Sequence, residues 1–198
     1  MARKEKENTS DVSETLKPEY TQKGMLVENI FIGIDTGVHT GFAVWSATKQ
    51  KFIDLAETKI HRAMLRILRY AQSERYRILG VRVEDARKRS VDRGNPIYYQ
   101  RLQSAGSIKR DASCWEDFLK DYKKIIPFQM VAPQSNTTKI PPEDFLEKYH
   151  QYLNSDSLRM AVAESEHIRD ACMLVINFRN IPMIPKKQKQ KRSNNNNK

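Results

Sequence analysis

The residue pattern predicts an α/β domain on a mixed five-stranded sheet, with three antiparallel strands first, two further strands later, and helices on the flanks. Two observations carry this expectation. Short apolar runs separated by tight turns crowd the stretch before residue 57, and after it amphipathic helical stripes alternate with single apolar runs. The length of 198 residues and 39% hydrophobic content suit one domain with a real core. The expected organisation is a flexible polar arm at 1–28, the domain at 29–184, and a disordered basic tail at 185–198.

The first strand is the apolar run FIGI with its flanks, ending on Asp35, and a Gly-containing turn leads to a second strand over 40–46 (TGFAVWS). Residues 51–56 (KFIDLA) make the third, and short links favour an antiparallel meander. A helix follows over 58–73, where Ala63, Leu65, Ile67 and Leu68 form the stripe and Arg62, Arg66 and Arg69 share the outer face. Residues 78–83 (ILGVRV) read as a strand ending on Glu84. Gly94, Asn95 and Pro96 break the chain, a helix over 97–108 is expected to end near Gly106, and Asp111 or Ser113 caps another through Tyr122. A last strand runs over 125–131. Pro141 and Pro142 open a short helix, since proline suits a first turn. The final helix begins at Ser157 or Glu164, reaches Phe178, and carries Ile168, Ala171, Cys172 and Val175 inward.

Charge is placed unevenly. Residues 59–110 hold 14 Lys/Arg against 4 Asp/Glu, the tail after Pro185 adds six basic residues, and the rest of the +11 chain is net acidic. Such segregation favours a polyanion, above all nucleic acid, because cations that neutralise phosphates release condensed counterions. No apolar run approaches the ~20 residues of a membrane span, and the charged N-terminus lacks a signal-peptide core. Cys114 and Cys172 offer neither zinc spacing nor a disulfide framework. A soluble, intracellular protein of the cytoplasm is expected, in a phage or bacterial context.

Asp35 alone reads equally well as the start of an Asx-turn and as a displayed ligand. Glu84 changes the balance: if the first and fourth strands are parallel neighbours, the two acids converge, and converging carboxylates call for a hard cation such as Mg²⁺ or Mn²⁺. His167 and Asp170, at i and i+3 on the last helix, share a face and supply further donors, with Glu166 as the competing ligand. Two such ions can clamp a phosphodiester for hydrolysis, one activating water and the other stabilising the leaving oxygen.

These residues carry a resemblance. The quartet Asp35, Glu84, His167 and Asp170, the opening GIDTGVHTGFAV, the acid of VRVEDAR, MVAPQS followed by Thr137 and Lys139, and HIRDACMLVI together resemble RuvC-type Holliday junction resolvases of the RNase H-like superfamily over about residues 29–180. The resemblance implies a metal-dependent endonuclease with two Mg²⁺ or Mn²⁺ per site, acting as a homodimer on branched DNA. It departs from the family at Thr36, where proline is usual, which should leave the turn less rigid. Position after Glu84 and local charge point to DNA contacts from Arg87, Lys88, Arg89 and Arg93 around the site mouth, aromatic faces to contacts from Tyr98, Tyr99 and Arg101 near a branch point, and Lys139 is expected to contact phosphate beside the cut. His39 is a further candidate for substrate contact. The opening motif also resembles the phosphate hairpin of actin-like ATPases, but those duplicate the fold and this chain is too short for two copies. Two alternatives are another nuclease of the superfamily, for RNA–DNA hybrids or mobile elements, and a non-catalytic branched-DNA-binding protein with the same fold.

Overall fold

The computed structural model describes residues 19–22, 24–88, 98–133 and 139–176, and for 98–105, 107 and 108 the backbone alone. Five strands form one sheet: β1 (Glu28–Asp35), β2 (Thr40–Ser46), β3 (Lys51–Thr58), β4 (Tyr76–Glu84) and β5 (Phe128–Val131). Their order is β3-β2-β1-β4-β5. β2 runs antiparallel to β1 and β3, whereas β4 is parallel to both β1 and β5. This is the mixed five-stranded α/β sheet expected.

Alternation along the strands assigns the faces. Ile30, Ile32 and Ile34 of β1, Phe42 and Val44 of β2, and Val81 and Val83 of β4 join Ala63, Ile67, Trp115 and Leu119 in one core. That core lies under α1 (Ile60–Gln72) and α2 (Tyr98–Asp121). The opposite face packs Ala43, Trp45, Phe52 and Leu55 against Phe145, Val162, Ile168, Ala171 and Val175. Those partners come from α3 (Pro142–Tyr149), α4 (Asp156–Glu164) and α5 (Glu166–Ile176).

Two helix expectations are corrected. Gly106 does not end a helix: α2 continues through it, because a mid-helix glycine costs only about 1 kcal/mol while Ala112, Trp115 and Leu119 bury completely further along. Of the two starts expected for the final helix, the one at Glu164 is close to the observed Glu166, whereas the stretch from Ser157 belongs to a separate helix that ends before Ser165. The Ser165 backbone N–H donates to Ala161 O at the end of α4, and its hydroxyl accepts from Ile168 N at 3.2 Å, capping the start of α5. The strand expected over 125–131 is shorter, because Ile125 and Ile126 still bond back to Tyr122 in a turn. Phe178 and the 185–198 tail lie outside the described residues, as do 1–18 of the N-terminal arm. Among the described residues no helix is long and apolar enough to cross a membrane.

Candidate active site

The end of the sheet where β1 and β4 finish is built by register. Ile34 pairs with Val83 across the parallel β1–β4 ladder, so Asp35 and Glu84 are the next residues of adjacent strands. Both follow a residue of the α1/α2 face, and alternation turns both toward α5. The turn after Asp35 is tied on each side. The Thr36 hydroxyl donates to Glu84 O at 3.0 Å, and the Thr40 hydroxyl donates to Gly37 O at 2.9 Å. Thr36, expected to loosen the turn, instead fastens it to the end of β4.

Two glycines bring α5 flush against these strands. A Cβ on Gly33 would lie 2.1 Å from Ala171 O, and one on Gly41 would lie 1.9 Å from His167 O. Backbone therefore meets backbone, and the helix delivers His167 and Asp170 to Asp35. His167 Nδ1 donates to Asp35 Oδ2 at 2.8 Å. The Asp35 hydrogen bond raises the His167 pKa against the opposing effect of burial. Burial pushes Asp35 up, and the His167 contact pulls it back part of the way. Asp170, only 8% exposed, is pushed up to about 6 by burial and then by the charge of Asp35, with Lys139 acting in the opposite direction. Two buried acids, with the charge of Asp35 disfavouring ionisation of Asp170, make a site that favours a bound cation.

The donor set, three carboxylates and one imidazole, suits a hard divalent cation with oxygen preference. Among the described residues, no three His, Cys, Asp or Glu side chains are gathered as a ready metal cage. The chemical fit therefore lies in donor type, burial and charge excess.

The candidate DNA contacts stand in different situations. Arg87 is held in a fork by Asp85, with Nε to Oδ1 at 2.7 Å and Nη2 to Oδ2 at 2.8 Å, and it also contacts Glu116 and Ser113. Asp85 is 1% exposed. Its hydrogen bond from Arg87 keeps its carboxyl below the usual range despite burial. Arg87 thus clamps the end of β4 to α2. Lys88 Nζ donates to Met130 O at 2.8 Å. Lys139 is exposed and near enough for Asp35 and Asp170 to feel its charge. Tyr98, Tyr99 and Arg101 lie on the first turns of α2, backbone only, whereas Arg89, Arg93 and Thr137 lie outside the described residues.

One acid at the site escaped the sequence reading. Gly41 pairs with both Asp35 and Glu57, so Glu57 occupies the same row as Asp35, two strands away and on the same face. It accepts from Ser165 Oγ at 2.6 Å and from His39 Nδ1 at 2.8 Å. The Ser165 hydrogen bond keeps its pKa low. The available signal was period two: β3 was expected to stop at Ala56, but continuing the alternation from Leu55 places Glu57 on the α5 face of the sheet.

No protein-family model matches the chain, and no curated protein matches it. Among solved structures it is similar to T. thermophilus RuvC in complex with Holliday junction substrate, at 15% identity and a TM-score of 0.44, over 73% of this chain and 89% of that one.

Proposed function

We propose that the chain is a metal-dependent endodeoxyribonuclease of the RNase H-like fold that cuts four-way or other branched DNA. The observation that carries this reading is that register sets Asp35 and Glu84 at neighbouring strand ends, while α5 bonds His167 to Asp35 and brings Asp170 within reach of its charge. Asp35, Glu84 and Asp170 would hold Mg²⁺ or Mn²⁺ with His167 as ligand or orienting group. Divalent cations bound there would supply an activated water and stabilise the leaving 3′ oxygen. Asp35 accepts the Nδ1 proton of His167 and so fixes the imidazole, leaving Nε2 directed by that bond. Lys139 supplies positive charge at the same mouth. The 59–110 segment, with its 14 basic residues, gives the wider surface a long-range attraction for phosphates. Two sites cutting strands of like polarity imply a homodimer on a two-fold symmetric junction.

The test is cleavage of a four-way junction, a Y-fork, linear duplex and an RNA–DNA hybrid with Mg²⁺ or Mn²⁺. Junction and fork are expected to be cut in preference to duplex, and Asp35→Asn should abolish cutting while keeping junction binding. Cutting of the hybrid alone would overturn the branched-DNA assignment. Salt-sensitive junction binding without cleavage under either metal would assign a binding protein instead.

A further inference from the structure

His167 sits between two carboxylates that flank one glycine of β2. Gly41 separates Asp35 from Glu57 along one row, and because it has no side chain the His167 backbone occupies the space above it. On one side His167 bonds Asp35. On the other, its ring stacks on His39, with centroids 6.0 Å apart and planes 11° from parallel.

Glu57 holds both elements on that second side. Its Oε2 accepts from the Ser165 hydroxyl, and that same hydroxyl accepts from Ile168 N, so the first turn of α5 is anchored to β3. Its Oε1 accepts from His39 Nδ1, which fixes the imidazole carried by the β1–β2 turn. Ser165 is buried while Glu57 is partly open to solvent, so this anchor lies at the margin of the fold. Glu57 is itself one residue from the end of β3, a rigid base for both bonds. A carboxylate with both oxygens committed in different directions sets the spacing between the things it binds.

We propose that Glu57 is a positioning residue for the His167–Asp35 pair, fixing the start of α5 and the His39 ring so that His167 stands in one place against Asp35. Its consequence for catalysis rests on the nuclease reading above, whereas its consequence for the His167 ring does not. Glu57→Gln keeps the size and one acceptor but cannot accept at both atoms.

The experiment uses the full chain, with His167 ring ¹⁵N–¹H signals recorded without metal and assigned by their loss in His167→Asn. Junction cleavage is measured in parallel as separate kcat and KM. Glu57→Gln should move the His167 ring signals and lower kcat about tenfold, with KM and junction Kd within about twofold. His39→Asn, whose exposed position leaves the fold intact, should move the same signals in the same direction and is the working variant if Glu57→Gln does not fold. Combining the two should add little further loss of kcat, because both act through one ring. Unmoved His167 signals in either folded variant would overturn the proposal, as would a KM rise that accounts for the whole activity loss. Moved signals in a protein whose wild type cuts no DNA would uphold the positioning role and overturn the nuclease reading instead.

Discussion

Replacing Gly41 by alanine tests the claim that helix backbone rests directly on strand backbone. The added Cβ would stand 1.9 Å from His167 O and 2.5 Å from its carbonyl carbon. An ordinary carbon–oxygen contact is about 3.5 Å, so α5 or β2 must give way by about 1.5 Å. Neither partner is a flexible side chain, and β2 is buried along its whole length. Overpacking of this kind costs typically 1–3 kcal/mol, which for a domain of this size lowers Tm by roughly 3–10 °C. A shift of 1.5 Å at His167 also removes the 2.8 Å bond to Asp35. Junction cleavage should therefore fall at least tenfold, even at temperatures where the protein is folded. The control is Gly106→Ala, where a Cβ meets nothing within 4 Å; in mid-helix it should stabilise by about 0.5–1 kcal/mol. Thermal and denaturant melts with kcat at 25 °C decide the matter. A Gly41→Ala protein that melts and cuts like wild type would refute the close approach.

Asp170→Asn should stabilise the metal-free protein. The folded state raises Asp170 from 3.8 to about 6, so native protein binds the proton more tightly than the unfolded chain and wild-type stability falls as pH rises through that window. In chelator at pH 7 the variant should gain roughly 1–3 kcal/mol, with the gain vanishing below pH 3.8 and cleavage abolished; equal melts across the range would refute this. Glu28, buried at the start of β1, accepts from Lys49 at 2.7 Å and from Arg75 at 3.0 Å. Burial pushes its pKa up, but those two cations outweigh it and hold it below 4.5. Its contribution is therefore complete above 4.5 and lost as pH falls through the lower folded value. Glu28→Gln should cost about 1–3 kcal/mol in neutral denaturant melts, a deficit that shrinks in acid. Arg87→Ala leaves the buried Asp85 without its fork and should cost about 1–3 kcal/mol after allowing for the partial exposure of Arg87. A residue that only touches DNA would leave the melt unchanged and alter salt dependence alone.

Much of the sheet was legible because strands announce themselves locally. The expected bounds of β2 match those observed, whereas the parallel pairing of β1 with β4 entered only as a condition, because two apolar runs that each end on an acid do not fix which strands are neighbours. Helix boundaries were less legible where tertiary packing outweighed local preference. Gly106 looks like a stop in isolation, yet Trp115 and Leu119 draw the helix across it. Ser165 looks like one more residue in a continuing stripe, because the residues inward on α4 and α5 belong to the same core. At the site, acids at strand ends and the i, i+3 spacing of His167 and Asp170 are local signals. The fit of Gly41 beneath His167 is not, because the partner that makes glycine necessary lies far along the chain. Glu57 fell between these cases: its parity was readable, but only once β3 was carried to Thr58.

The bond between Asp35 and His167 spans 132 residues, and α5 is the last described element. Contacts of such high sequence separation form late, after shorter loops have closed. A nascent chain can complete all five strands by Val131 and still possess only the strand-borne half of the constellation. Until α5 docks, the row above Gly33 and Gly41 is an open furrow without its imidazole and last carboxylate. Completion of the core and assembly of the constellation thus become a single event, and a chain cut short before Ser165 would lose the α5 half of one core together with His167 and Asp170.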